Sequence, residues 1–209
     1  MTALMEALPN ARYFPDANST LRVTYGQVRG YAPRDAVYYN HVSYLDGVIE
    51  KYCYDDDLTN CDTYGGLYQW AEIMNYTTQE GTQGICPGGW HIPSDQDWKN
   101  MEMHLGMSEA QANAPDWRGD DEGSKLKTVS GWLEGGNGTN SSGFTAIPSG
   151  YRAGEDNGFA SLDNSAYWWT STPYSDVQTW YRSVGPYVSK IQRTYNYNGS
   201  GISVRCVKD

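Results

Sequence analysis

The sequence predicts an α+β fold with irregular loops. Short apolar segments alternate with turns rich in glycine, and two other segments carry apolar residues at helical spacing. The chain of 209 residues is long enough for one full domain and a remnant, but too short for two large domains. Short strands combined with separate helices are typical of the α+β class.

The N-terminal segment, residues 1–52, differs from the rest of the chain in charge. It contains five basic and five acidic residues, so residues 53–209 carry the whole net charge of −10. A short helix over residues 1–8 and an alternating strand over residues 19–25 are predicted here. Because so short a segment cannot bury its own core, we treat it as an appendage of a domain formed by residues 53–209.

Within that domain, the apolar segments and helices follow one another in a regular order. The apolar segments that alternate with turns cover residues 65–70, 88–93, 143–148, 166–170 and 202–206. One helix is predicted over residues 67–74. A second helix begins at Ser94, whose hydroxyl can cap its first turn, and carries Trp98, Met101 and Leu105 as its apolar stripe.

Charge and hydropathy exclude two classes of partner. A net charge of −10 without a basic patch argues against binding to DNA or RNA. No apolar run approaches the roughly 20 residues of a membrane-spanning helix. Residues 1–9 lack the basic start and the apolar length of a signal peptide, so none is predicted from this stretch.

Four cysteines allow three pairings. Cys53 and Cys61 flank an acidic, turn-rich stretch, whereas Cys86 precedes a Pro-Gly-Gly turn and Cys206 lies in a short apolar strand. None forms a Cys-x-x-Cys motif. A local Cys53–Cys61 bridge and a long-range Cys86–Cys206 bridge are therefore expected, which favours an oxidising compartment. Four reduced thiols are the alternative.

Part of the N-terminal segment resembles a known enzyme family. The stretches FPDANSTLRVTYG (residues 14–26), GYAPRDAVY (30–38) and LDGVIEK (45–51) are similar to an internal region of bacterial dipeptidyl peptidases with a chymotrypsin-like serine catalytic domain. The chain has no Gly-x-Ser-x-Gly or Gly-Asn-Ser-Gly motif that would supply the nucleophile. We therefore do not expect peptidase activity.

From about residue 51 onward the chain resembles the Fibrobacter succinogenes major paralogous domain, found in surface and secreted bacterial proteins. The ordered motifs are YCYDDDLTNCDTYGGLYQWAEIM, GICPGGWHIPSDQDW, SGFTAIPSGYR, YWWTST and GISVRCVKD. This resemblance implies a C-type-lectin-like fold, with a small twisted antiparallel sheet, two helices and long irregular loops. It also implies an extracellular or cell-surface location.

An enzymatic function is not expected from these residues. Formylglycine-generating enzymes, which share the implied fold, need a cysteine pair near the C-terminus, and residues 169–205 contain no cysteine. His41, His91 and His104 do not stand at metal-ligand spacing. We expect His91 to be a packed, hydrogen-bonded side chain.

A calcium site is a weaker possibility in the acidic turn between Cys53 and Cys61. Asp55, Asp56, Asp57 and Asn60 offer oxygen ligands at close spacing. The turn lacks the glycine and the distant glutamate of an EF-hand, so a solvated acidic turn is favoured. We therefore expect no cofactor.

The last third of the domain has the composition of a recognition surface. It is rich in tyrosine, which offers large contact area at low entropic cost, and in serine and asparagine, which adapt their hydrogen bonds. The tryptophans there are expected to fill the core. The expected contact residues lie in turn-like stretches: Tyr174, Asp176, Tyr187, Tyr195, Asn196, Tyr197 and Asn198.

Two functions follow from these patterns. The favoured one is a non-enzymatic extracellular bacterial binding module that recognises a protein or glycan through this Tyr/Asn/Ser-rich loop face. The alternative is a structural subunit of an extracellular fibre or surface assembly. In that case the alternating strand at residues 19–25 would be donated to a neighbouring copy.

Overall fold

The chain is described here from a computed structural model that defines residues 31–34, 37–39 and 50–209. It divides into two compact units, Met1–Tyr44 and Leu45–Asp209. In the first unit, β1 (Tyr31–Arg34) pairs with β2 (Val37–Tyr39) in antiparallel fashion. The predicted helix at 1–8 and strand at 19–25 lie outside the described residues, so strand donation stays a prediction.

The boundary between the units lies before the one predicted at residues 52 and 53. Tyr52 forms an antiparallel bridge with Leu67, with both backbone hydrogen bonds at 2.9 Å. The end of the predicted appendage therefore belongs to the second unit.

A four-stranded antiparallel sheet forms the centre of the second unit. Its strand order is β4 (Asp116–Arg118), β9 (Ile191–Tyr197), β8 (Gln178–Val184) and β7 (Ala166–Ser175). Two smaller antiparallel pairs accompany it. β5 (Ser149–Arg152) pairs with β6 (Phe159–Leu162), and β3 (Trp90–His91) pairs with β10 (Val207–Lys208).

Five α-helices are described in this unit: α1 (Leu58–Tyr64), α2 (Trp70–Ile73), α3 (Asp95–His104), α4 (Glu109–Asn113) and α5 (Glu122–Leu126). The α+β class is thus confirmed, but the expectation of two helices was incomplete. The predicted helix at 67–74 is also shorter, because Leu67 pairs with Tyr52 before α2 begins. Ser94 does cap α3, in a capping box with Asp97.

The core lies on both faces of the four-stranded sheet, because adjacent side chains of a strand point to opposite sides. Trp168 packs with Trp98, Leu126 and Val184 on one face, together with Ile191. Trp169, the next residue of the strand, packs on the other face. The buried residues of this second cluster also include Trp70, Ile73, Met74, Ile92 and Ile202. The two tryptophans of β7 thus fill the core as expected.

Buried charges join α3 to the sheet. Arg182 is fully buried and donates to Asp95 Oδ1 at 2.8 Å and to Glu102 Oε1 at 2.7 Å. Arg193 contacts both oxygens of the same aspartate, at 2.9 and 2.8 Å, and Arg118 Nη2 donates to Glu102. Two carboxylates of one helix therefore hold arginines from three strands, which fixes the helix on the sheet.

These contacts change the ionisation of the groups involved. Burial alone would raise the pKa of Asp95, but Arg193, Arg182 and Lys99 hold it well below its ordinary value. Burial lowers the pKa of Arg118 to about 10, although Glu102 opposes this effect. Asp95 and Arg118 are therefore both charged at neutral pH.

Both expected disulfides are present. Cys53 is joined to Cys61, with Cα atoms 5.0 Å apart, and Cys86 to Cys206, at 5.8 Å. The second bridge spans 120 positions and ties the loop before β3 to the C-terminal region. None of the described helices is long and apolar enough to cross a membrane.

Candidate ligand-binding groove

The expected contact residues lie mostly on strands rather than in turns. Tyr174 is part of β7, and Tyr195, Asn196 and Tyr197 are part of β9. The prediction of a loop face was therefore wrong for these four residues. Polar residues on an exposed strand end have the same composition as a turn, and only the pairing with β8 distinguishes the two.

Tyr187 does not share a surface with the other expected residues. Tyr197 pairs with Gln178, the first residue of β8, whereas Tyr187 lies in the segment after Val184, the last residue of that strand. The length of β8 thus separates the two tyrosines along the sheet. The Tyr187 hydroxyl donates to Glu134 Oε2 at 2.7 Å.

Two of the remaining residues are occupied by contacts within the protein. Asn198 Oδ1 accepts from the Thr179 hydroxyl at 2.9 Å, and its carbonyl accepts from the Trp70 amide at 3.0 Å. Asn196 Oδ1 accepts from the Tyr197 amide at 2.8 Å. Asp176 lies in the exposed turn between β7 and β8.

An aromatic stack covers one face of the sheet at this end. The rings of Tyr174 and Tyr195 are parallel within 2°, with centroids 3.8 Å apart. Trp180 meets both rings edge-on, and the Arg193 guanidinium lies 3.8 Å from the Trp180 centroid. The stack is therefore attached to the buried charge cluster through Arg193.

A groove of about 630 Å³ lies between β9 and the segment that follows β5. Its walls include the predicted residues Tyr195, Asn196 and Tyr197, and also three tyrosines that the sequence did not single out. These are Tyr151 on β5, Tyr167 on β7 and Tyr181 on β8. We call Tyr151, Tyr167 and Tyr181 the tyrosine cup.

The rings of the tyrosine cup are inclined to one another and do not form a flat stack. The centroids of Tyr151 and Tyr167 are 5.3 Å apart with an interplanar angle of 68°, and those of Tyr167 and Tyr181 are 5.9 Å apart at 53°. Within residues 50–209 none of the three hydroxyls is hydrogen-bonded to a protein group. A phenol hydroxyl can both donate to and accept from a ligand.

Burial raises the pKa of Tyr181 to about 12, and the neighbouring Tyr167 and Tyr151 act in the same direction. Tyr181 thus stays a neutral phenol, which can both donate and accept a hydrogen bond.

The opposite wall of the groove carries Glu155 and Asp156. A backbone bridge between Arg152 and Gly201 joins the end of β5 to the segment after β9. Next to it, Gly154 lies so close to Gly199 that an added Cβ would come within 2.8 Å of its backbone. Both carboxylates are exposed, and neither forms an ion pair within residues 50–209. Among residues 50–209, no lysine, arginine or histidine lines the groove.

Two of the calcium candidates in the acidic turn near Cys53 bond to other groups of the protein, and the calcium site stays a prediction. Asp57 caps α1, its carboxylate accepting from the amide and hydroxyl of Thr59 at 2.9 and 2.8 Å. Asn60 Nδ2 donates to the Tyr54 carbonyl, and Asp55 is exposed. In the described part of the chain, no three histidine, cysteine or acidic side chains are placed to hold a metal ion.

His91 is hydrogen-bonded on both ring nitrogens. Nδ1 lies 2.6 Å from Asp209 Oδ1, and Nε2 lies 3.4 Å from Asp97 Oδ2. The bond to Asp209 raises the pKa of His91; partial burial opposes this shift and Asp97 supports it. The ring therefore links the C-terminal residues to the start of α3.

The residues that form these sites belong to a recognised domain. The sequence model of the Fibrobacter succinogenes major domain matches residues 29–208. The chain belongs to this family. The match begins upstream of residue 51, where the motifs place its start, and it includes all residues of the groove.

The resemblance to dipeptidyl peptidases is also confirmed, over short segments. The Asp/Glu-specific dipeptidyl-peptidase of Flavobacterium psychrophilum is 56% identical over 75 residues, which cover 31% of this chain and 10% of the peptidase. The enzyme of the same name from Porphyromonas gingivalis is 59% identical, covering 24% and 7%. That from Porphyromonas endodontalis is 55% identical, covering 39% and 11%. The chain thus spans about a tenth of the length of these relatives. No solved structure matches it.

Proposed function

We propose that the second unit is a non-enzymatic extracellular binding module that holds a protein or glycan ligand in the groove. The observation that carries this proposal is the tyrosine cup, whose hydroxyls make no hydrogen bond within residues 50–209, beside Asn196 and Tyr197. Ligand sites are typically concave, between about 300 and 1,000 Å³, and lined by aromatic side chains with a few polar groups. The groove has each of these properties.

The proposal includes a C-type-lectin-like fold for the family domain. In support, a small antiparallel sheet carries α3 on one face, and long irregular segments connect the strands. The pairing of β3 with β10 and the Cys86–Cys206 bridge bring the C-terminal region back to the middle of the chain. Folds of this kind use a fixed scaffold to display variable surface segments.

A binding role also agrees with the chemistry of the described residues. His91 faces two carboxylates and no hydroxyl or thiol, so it is not placed to activate a nucleophile. The matches to peptidases extend over only about a tenth of those enzymes. Two disulfides support export to an oxidising compartment.

The proposal is tested by two matched tyrosine variants. The full chain is screened against arrays of bacterial glycans and surface proteins, and each ligand found is titrated against Tyr181→Phe and Tyr187→Phe, each of which removes one hydroxyl. Tyr181 belongs to the tyrosine cup, and Tyr187 lies beyond the far end of β8. We expect Tyr181→Phe to weaken binding by roughly three- to tenfold and Tyr187→Phe to leave it unchanged. Equal affinities of both variants and the parent would contradict the groove as the site.

A further inference from the structure

We propose that the groove accepts the ammonium group of a lysine side chain presented by a partner protein. The inference rests on the proposed function, since it names the chemical class of the ligand for the same groove. It is carried by the shape of the tyrosine cup and by the sign of the charges around it.

The inclined rings favour a compact cation over a flat sugar ring. Adjacent rings of the cup differ in plane by 68° and 53°, so they offer no flat platform on which a pyranose ring can stack. Aromatic rings that line a groove attract an ammonium group through their π-electron density.

The charges at the rim have the complementary sign. Glu155 and Asp156 stand at the wall of the groove without an ion pair in the described part of the chain. The neighbouring cation, Arg152, is engaged elsewhere, since its guanidinium lies 4.0 Å from the centre of the Tyr52 ring. A ligand cation would therefore meet two carboxylates and no competing positive charge from residues 50–209.

The tyrosine hydroxyls can accept the hydrogen bonds of a bound ammonium group. An ammonium group carries three N–H donors and no acceptor. The hydroxyls of the cup can accept from it, because they make no bond within residues 50–209 and Tyr181 stays protonated at neutral pH. The methylene stem of lysine would lie against the rings, as it does on apolar surfaces generally.

The experiment uses the full chain and short glycine peptides with one central residue: lysine, Nε-acetyl-lysine or norleucine. Binding is followed by NMR shifts of the protein amides. We expect the lysine peptide to bind roughly tenfold more tightly than the other two. We also expect this advantage to disappear in the double variant Glu155→Gln/Asp156→Asn.

The matched control is the double variant Asp55→Asn/Asp56→Asn. It removes the same charge from two adjacent exposed residues that do not line the groove, and we expect it to keep the lysine preference. Equal binding of the lysine and acetyl-lysine peptides would overturn the proposal. Binding of an uncharged or amino-sugar oligosaccharide in the groove without the lysine peptide would overturn it and leave the binding module intact. If no glycan or protein shifts the groove amides, the proposed function fails as well.

Discussion

At the scale of single residues, the position of α3 depends on three arginines that no local pattern identifies. Arg118, Arg182 and Arg193 come from separate strands and meet two carboxylates of one helix. In the sequence, Asp95 and Glu102 look like solvated helix residues. Their burial depends on pairing between segments about 80 to 100 positions apart, which a single sequence does not reveal.

Arg182→Met should be one of the most destabilising single changes in the second unit. The variant leaves Glu102 and Asp95 buried with fewer partners, which we expect to cost about 3–5 kcal/mol of unfolding free energy. Urea denaturation measures this loss. Asp121→Asn serves as control because it breaks the ion pair of an exposed carboxylate with Lys125, while Lys125 keeps its bond to the Leu105 carbonyl, and its effect should be much smaller. Equal losses would show that the buried cluster does not anchor the helix.

His91 should titrate above its ordinary value of 6.5. Protonation strengthens its bonds to Asp209 and Asp97, so this stabilisation is fully present below pH 6.5 and is lost as pH rises through the raised pKa. An NMR titration that follows the chemical shifts of the His91 ring protons with pH gives this pKa in the folded protein. Asp209→Asn should lower it. An imidazole that titrates below 6.5 in the parent would contradict the contact.

At the scale of elements, features that depend on neighbouring residues could be predicted from the sequence, whereas features that depend on distant strands could not. The helix cap at Ser94 depends only on neighbouring residues, and the structure confirms it. Helices α1, α4 and α5 are only five to seven residues long, too short for a clear apolar period. The tyrosine cup was missed because its members lie on three strands, and each one alone resembles a core residue.

The two capping boxes provide a test of how α3 is held. Ser94 and Ser108 each cap a helix in the same way, but only Ser94 precedes a residue of the buried charge cluster. Ser94→Ala should cost about 1–2 kcal/mol, the upper part of the range for a lost cap. Ser108→Ala, at an exposed five-residue helix, should cost less. Thermal unfolding of both variants decides this, and a larger loss for Ser108→Ala would argue against the coupling.

At the scale of the whole molecule, the Cys86–Cys206 bridge closes a loop over most of the second unit. Removing it with Cys86→Ser/Cys206→Ser should lower the unfolding free energy by roughly 5 kcal/mol on the loop-entropy estimate. The Cys53–Cys61 bridge spans eight positions, and its removal should cost less. Denaturation of the two double variants tests the order. The reverse order would mean that the long-range bridge adds little to the fold.

For the molecule as a whole, we interpret the family domain as a disulfide-bridged scaffold that presents a tyrosine-lined site. The main hypothesis is that ligands enter this groove. The most direct measurement is NMR of protein with labelled tyrosine rings, titrated with a ligand from the screen. We expect the ring signals of Tyr151, Tyr167 and Tyr181 to shift on ligand addition and the ring signal of Tyr187 to stay fixed. Shifts at Tyr187 with an unchanged tyrosine cup would contradict it.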